Sequence, residues 1–430
     1  MVIARTISCL MFQLVLFLTV VLSSCSESKS PLEKCVDAIG CVTVGPGEPV
    51  KIGVLQALTG KVATFGWAQV RGLKLALEKR NNTLLGHPVV LQLENTGCTE
   101  EGGANAALKL IADPQTIAIF GSTCSSAGAA ASQIMSPAGL TMISGSNSAP
   151  FLTSIAGQAA PNWQAGYFRT VPNEEYAGRA AAGYAFQQLG LQRAATIHDN
   201  DIYSKGLTES FKKAFLALGG EIVLEASINK GETEMEPVLT AVIKSGAQLL
   251  FFPLLQPEGD YILRQARALP ALDATLLISG SALFGKGFLD EVGEAGIGMC
   301  FVGPSYPEGV VVDQLAAAYE MKFKKKPEVT FYIYGFDAAD LLLHAVEQTA
   351  IQHRDGILHL GRKALRDTLY ATTGFEGVSG TLNCNQFGDC ARPAFNVVCL
   401  EKPAQGHIGL QSNIVFSYTA PGGTTEELLP

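Results

Sequence analysis

Two short polar runs carry the densest hydrogen-bonding chemistry in this chain, Gly121-Ser122-Thr123-Cys124-Ser125-Ser126 and Ser144-Gly145-Ser146-Asn147-Ser148-Ala149-Pro150. Each follows an apolar stretch of strand character, and the first opens an Ala-rich helical run at 127–131. Hydroxyls and unbonded backbone N–H groups then converge at the positive end of a helix, an arrangement that suits an anion. A small carboxylate would take hydroxyl bonds from Ser125 and Ser148 together with a backbone N–H, each charge-assisted bond contributing about 1.5–3 kcal/mol. The plainer roles are Ser125 as a helix cap and both runs as ordinary polar loops.

Other chemistries find less support. A hydrolase built on Ser125 needs a histidine and an acid brought from elsewhere in the fold. No H-E-x-x-H, no G-x-S-x-G and no dinucleotide G-x-G-x-x-G in a strand-helix setting occurs. Gly280-Ser281-Ala282-Leu283-Phe284-Gly285-Lys286-Gly287 follows a strand and nearly spells a P-loop, but Gly287 stands where the Mg²⁺-binding hydroxyl belongs. No cofactor is expected, and neither is catalysis.

Leu22-Ser23-Ser24-Cys25 closes an apolar run that begins near Cys9 and follows a single early charge, Arg5. That run is shorter than the roughly 18–20 residues of a spanning helix, and small residues precede the cysteine, so it reads as an export signal. The pattern resembles that of a bacterial lipoprotein, which implies cleavage before Cys25, a lipid anchor on it, and a polar tether at 25–48. An ordinary secretory signal cut near Ser24 is the alternative.

Of ten cysteines, setting aside Cys9 and Cys25 leaves an even number in an oxidising compartment. Cys35 and Cys41 close a short loop. Cys384 and Cys390 flank the turn-rich Asn385-Gln386-Phe387-Gly388-Asp389, which suits a hairpin. Zinc is the rival, but no C-x-x-C occurs and the six histidines are scattered. The pairing of Cys300 and Cys399 stays open.

The elements that must position these groups follow from composition and period. A body of about 380 residues exceeds the size at which single cores stop growing, so two domains are expected. With 47% apolar and 16% charged residues it folds compactly, and a net charge of −8 without a basic run argues against nucleic acid and an anionic membrane surface as partners. Strands at 51–57, 89–95, 116–120 and 141–144 alternate with helices at 67–79, 102–112 and 125–134. Beyond 168–172 the alternation restarts, with helices at 176–189, 205–218, 235–245 and 257–268 and strands at 193–198, 221–227, 249–252 and 275–279. Such alternation means parallel sheets, here two similar α/β, Rossmann-like lobes. Helices at 311–323, 334–348 and 362–372 would complete the first lobe, with three hinge crossings near Thr170, Pro304 and Gly377. Lobe I is then 49–170 plus 305–376, lobe II is 171–304 plus 377–402, and 403–430 is a C-terminal extension.

From about 51 to 400 the chain resembles the leucine/isoleucine/valine-binding proteins of ABC importers and their type I periplasmic-binding relatives. The resemblance rests on 53–66, on Cys98 with Cys124-Ser125-Ser126, on Met142-Ile143-Ser144 through Leu152-Thr153, on Ile197-His198-Asp199 through Tyr203, and on Arg264-Gln265-Ala266-Arg267. It implies a disulfide between Cys98 and Cys124, carboxylate-binding hydroxyls at Ser125 and Ser148, an ammonium contact at the Ser146 backbone, closure by Tyr203 and an aromatic wall at Phe65. Where such receptors carry a second aromatic and an ammonium-binding acid, this chain holds Leu255 and Ser281; Glu258, Asp260 or Asp337 would have to substitute. The implied function is capture of a branched-chain or related apolar amino acid by a lipid-anchored, monomeric, extracytoplasmic protein that delivers it to an ABC permease. The alternatives are an aliphatic amide, a urea-like solute or a small carboxylic acid as ligand, or a sensor feeding a signalling partner.

Overall fold

The central strands of both halves are apolar runs, the composition of strands covered on both faces, while the edge strands His87–Asn95 and Glu221–Ser227 are only partly buried. Thr116–Gly121 and Leu249–Phe251 are buried along their whole length. The computed structural model describes residues 35–420. The expected leader, Cys25 as the expected anchor, and the last ten positions lie outside the described residues.

The first sheet contains β1 (Val50–Gln56), β2 (His87–Asn95), β3 (Thr116–Gly121), β4 (Met142–Ser144) and β5 (Tyr167–Arg169), all parallel in the order β2-β1-β3-β4-β5. The second contains β6 (Arg193–His198), β7 (Glu221–Ser227), β8 (Leu249–Phe251), β9 (Leu276–Gly280), β10 (Cys300–Pro304), β11 (Ala394–Cys399) and β12 (Ile414–Thr419). Its order is β7-β6-β8-β9-β10-β11-β12, with β11 and β12 antiparallel. Each sheet reverses its strand order beside its first strand, between β1 and β3 and between β6 and β8, and ligands of open α/β sheets bind outside the strand carboxyl ends at such points.

The helices that cover these sheets are α1 (Ala63–Glu78), α2 (Glu100–Ile111), α3 (Ser125–Met135), α4 (Glu175–Gly183), α5 (Ile202–Ala217), α6 (Glu236–Ser245), α7 (Glu258–Arg267), α8 (Lys286–Val292), α9 (Val310–Phe323), α10 (Phe331–Thr349) and α11 (Arg362–Tyr370). Buried residues of α9, α10 and α11, among them Leu315, Tyr332, Leu342 and Leu365, share one core with Ile52 and Val54 of β1 and Leu73 of α1. The approach of α10 to α1 needs Gly72, because a Cβ there would stand 2.4 Å from the Tyr332 carbonyl oxygen.

Three segments differ from their sequence-based expectation. Cys41–Val44, expected within the tether, pairs antiparallel with Leu358–Gly361 and buries Val42 and Val44 in the first core, as its period-2 alternation requires. The hairpin near the third crossing is Phe375–Gly377 with Gly380–Leu382, not the cysteine loop. Leu382, Cys384 and Cys390 pack into the first core, so the chain passes to the second sheet beyond the cysteine loop rather than near Gly377. Ile414–Thr419, expected in an extension, is the outermost strand of the second sheet. Among the described residues no helix is long and apolar enough to cross a membrane.

Candidate functional site

The strand-to-helix turns of the two sheets face each other across a cavity of ≈ 440 Å³, its mouth included. Phe65, Ser125, Ser146, Ser148, Tyr203, Leu255 and Ser281 all line it, together with Val62, Thr123, Cys124, Ala282 and Phe331. Cys124 is the N-cap of α3 and is joined by a disulfide to Cys98, which ties the β3–α3 turn to the segment after β2. Thr123 Oγ1 donates to Gln56 Oε1 at 2.6 Å and accepts from Ala57 N at 2.9 Å, locking that turn to the end of β1.

A hydroxyl carries one proton, so its partners decide what it offers a ligand. Ser146 Oγ donates to the Thr123 carbonyl at 2.9 Å, Ser148 Oγ to Glu174 Oε2 at 2.9 Å and Ser281 Oγ to Glu174 Oε1 at 2.9 Å. Ser125 Oγ accepts from Ala149 N at 3.3 Å and keeps its own proton. Among the lining serines, therefore, Ser125 alone presents an uncommitted donor, and it does so on the first turn of α3, where backbone N–H groups have no intrahelical partner. Ser148 and Ser281 present lone pairs instead. The site has a donor pole at Ser125 and an acceptor pole at Ser148 and Ser281.

Behind the acceptor pole lies Glu174, fully buried just before α4. Burial pushes its carboxyl up to about 7, and the hydroxyls of Ser148 and Ser281 and the charge of Arg169 oppose that rise. None of the acids weighed from the sequence as ammonium partners lines the cavity. Glu258 Oε1 accepts from Gly231 N at 2.7 Å, Asp260 from Gln256 Nε2 at 2.9 Å, and Asp337 from Val378 N and Ser379 N at 2.7 Å each. Glu174 escaped the sequence reading because nothing in Pro172-Asn173-Glu174-Glu175 distinguishes an acid turned toward the cleft from its equally buried neighbours. A carboxylate directly following a hinge crossing is the only available signal.

The remaining wall is apolar. Phe65 and Phe331 meet edge to face at 5.3 Å, with Val62 and Leu255 alongside. Phe331 was also missed, because α10 starts three positions before its expected start at 334. Gln69 Nε2 fixes it by donating to the Phe331 carbonyl at 2.6 Å and to the Gly145 carbonyl at 3.1 Å, which ties the start of α10 to the β4 turn. Tyr203 Oη accepts from Ala282 N at 3.4 Å, and burial and the charge of Glu174 push its hydroxyl well above the usual range.

The polar turn that precedes Ser148 rests on Arg169, which is fully buried. Its guanidinium donates to the carbonyls of Asn147 at 3.2 Å and Ala149 at 2.8 Å, to Thr153 Oγ1, and to Asp389 Oδ1 at 2.6 Å. Asp389 lies in the loop closed by the Cys384–Cys390 disulfide. A third disulfide joins Cys300 to Cys399 across β10 and β11, and Cys35 and Cys41 are both disulfide-bonded. The P-loop-like run divides into a short 3-10 turn, Ser281–Leu283, and α8, with Lys286 paired to Asp290 in the open. Among the described residues no group of three or more His, Cys, Asp or Glu is placed to hold a metal ion.

A profile of the periplasmic binding protein family matches residues 49–392. An amino acid binding protein of Pseudomonas aeruginosa is 29% identical over 220 residues, 51% of this chain and 57% of that protein. The fold is that of a leucine binding protein from Thermotoga maritima, with a TM-score of 0.73 at 24% identity over 86% of this chain and 99% of the other. It is also that of a solute binding protein of an ABC transporter from R. palustris in complex with benzoate, with a TM-score of 0.70 at 20% identity over 89% and 99% of the two chains.

Proposed function

Because the chain belongs to the periplasmic binding protein family, a solute-binding and non-enzymatic one, we propose that it serves an ABC importer outside the cytoplasm and captures an apolar α-amino acid between its lobes. The observation that carries this reading is the division of the cavity into two poles. Ser125 and the α3 N-terminus offer donors to a carboxylate, while Ser148 and Ser281, backed by Glu174, offer acceptors to an ammonium group. Phe65, Leu255 and Phe331 leave an uncharged space for the side chain. Ser148 thereby moves from the carboxylate end, where the family resemblance puts it, to the ammonium end. A ligand that touches Ser125 and Ser148 on one lobe and Tyr203 and Ser281 on the other favours the closed form through its differential contacts. The leader and Cys25 support export and lipid anchoring, and the closed form would be the one a permease receives.

Isothermal titration with leucine, 4-methylpentanoate and 3-methylbutylamine tests the poles separately. Leucine is expected to bind at least 10-fold more tightly than either fragment, since each lacks one charge-assisted set of bonds worth about 1.5–3 kcal/mol. Equal binding of leucine and 4-methylpentanoate would refute the ammonium pole.

One observation favours a second reading. With its carboxyl pushed up to about 7, Glu174 holds its proton readily, and the neutral form suits a carboxylic acid with no ammonium group, as in the benzoate complex of the R. palustris protein. Tighter binding of benzoate than of any amino acid would select it.

A further inference from the structure

Among the ion pairs of the described residues, one alone runs from an element packed on the first sheet to an element packed on the second: Lys61 Nζ lies 3.6 Å from Glu291 Oε2. Lys61 shortly precedes α1, whose Val70 and Leu73 share a core with β1; Glu291 belongs to α8, whose Phe288 and Leu289 share a core with Leu250 of β8. Neither residue lines the ligand cavity. We infer that Lys61 is a positioning residue for closure of the cleft: by drawing α8 onto the start of α1 it sets the affinity for ligand without touching it. The inference deepens the amino-acid reading and rests on it for the ligand used in the test.

Two contact points bring α8 to α1. At the N-cap of α8, a Cβ on Gly285 would stand 3.4 Å from Phe65 Cε2, and Phe65 is a wall of the cavity. Near the other end stands Glu291, opposite Lys61. Arg264 of α7 donates to Glu291 Oε1 at 2.7 Å and to the Glu291 main-chain carbonyl, so Oε2 is left to face Lys61. Arg264 and Lys61 hold that carboxyl below its usual range, which keeps it charged at neutral pH. The charge of Lys61 also reaches Asp260 of α7, which is bonded to Gln256 Nε2. The second side therefore sets two acids against Arg264, and the missing cation comes from the first side. Beside the charges the contact is apolar: Val62, next to Lys61, forms a small cluster with Ala57, Cys124 and Ala127, and Leu255 of the second side packs against it. Val62, Cys124 and Leu255 also line the cavity, so the charged contact and the cavity share one wall. A contact made only when the two sides are together raises the closed fraction, and the apparent dissociation constant is the intrinsic one divided by that fraction. The Lys61 and Glu291 side chains are 53% and 38% exposed, so the effect is modest and is screened by salt.

Titration of the mature chain with leucine tests this at low and high NaCl, about 0.01 M and about 1 M, where charges act over about 30 Å and about 3 Å. At low salt Lys61→Ala is expected to weaken leucine by about 2- to 5-fold, and at high salt the two proteins should converge. Lys61→Glu should weaken it further, and adding Glu291→Lys to that variant should recover most of the loss. A lysine with a merely structural role would give neither the convergence nor the recovery; the absence of both, with leucine bound, would overturn the inference. Energy transfer between dyes on α6 and α9 of the ligand-free chain reads closure without any ligand. Lys61→Glu is expected to shift it toward the open form. That shift in a chain that does not bind leucine would uphold the role of Lys61 and reject the amino-acid reading.

Discussion

Glu174 Oε1 accepts a hydrogen bond from Ser281 Oγ at 2.9 Å across 107 residues of sequence, and through it a carboxyl shortly after β5 of the first sheet holds the turn that follows β9 of the second. The other oxygen of the same carboxyl holds Ser148 on the first lobe. Glu174 thus joins the two sides of the cleft without lining it, and its protonation state decides whether those serines face the ligand as acceptors only.

The first consequence is a stability that depends on pH. The Glu174 carboxyl is pushed up to about 7 in the folded chain against an ordinary 4.5. A raised carboxyl means that the folded state binds the proton more tightly, so its contribution is fully present below about 4.5 and is lost as pH rises through about 7. Asp260 and Asp337, both pushed up to about 6, act with the same sign, so the difference between wild type and Glu174→Gln isolates this group. Urea unfolding of the ligand-free protein at pH 5 and pH 8 should show wild type losing about 1–3 kcal/mol more than the variant. Equal losses would mean that Glu174 does not titrate in this window.

The second consequence is proton release on binding. An ammonium group placed at Ser148 and Ser281 favours ionised Glu174, since an opposite charge nearby stabilises the charged form. At pH 6 an amino acid should therefore displace close to one proton, whereas an acid without an ammonium group should displace none. Titration calorimetry in two buffers of different ionisation enthalpy reads the number directly, and Glu174→Gln should bring it to zero.

Ser125 is the donor of the site, and its replacement is correspondingly specific. Ser125→Ala removes the uncommitted hydroxyl that the proposed ligand carboxylate would meet and leaves Ala149 N without its acceptor. Affinity for any carboxylate ligand is expected to fall by about 10- to 100-fold, the equivalent of one charge-assisted bond. Ser146→Ala should cost less, because that hydroxyl already donates its proton to the Thr123 carbonyl. The ratio of the two losses, measured by titration, checks the assignment of poles.

The polar turns were legible because parallel strands announce themselves as apolar runs, and the residues directly after each run must then sit at the sheet's carboxyl edge. Ser125 and Ser148 could be placed in this way, whereas Phe65, inside α1, was reached only through the family resemblance. Phe331 could not, because Thr330-Phe331-Tyr332-Ile333 has the β-branched and aromatic composition of a strand and conceals the first turn of α10. Glu174 could not because inward orientation of an acid depends on a partner 107 positions away. The Cys300–Cys399 pairing depends on a register, Cys300 opposite Cys399 between β10 and β11, that exists only once the antiparallel pair has formed. Val42 and Val44 alternate over too short a stretch to separate a sheet strand from a linker before Leu358–Gly361 is known to lie beside them.

Arg169 and Asp389 give the last prediction. The guanidinium is wholly buried, and it holds the Asn147 and Ala149 carbonyls of the turn that presents Ser148 while bonding to Asp389 Oδ1 at 2.6 Å. Asp389 is in turn held by Thr153 Oγ1 and Ser154 Oγ at 2.8 Å each. Removing one partner of such a pair leaves the other buried without compensation, at a cost of about 3–5 kcal/mol, far above that of an exposed ion pair. Asp389→Asn should therefore destabilise the chain by about that amount and also weaken ligand binding, because Arg169 would no longer be fixed against the turn. Lys286→Ala, which breaks an exposed pair with Asp290, should change unfolding free energy by less than about 1 kcal/mol. Comparable losses in the two variants would show that the buried network does not organise the site.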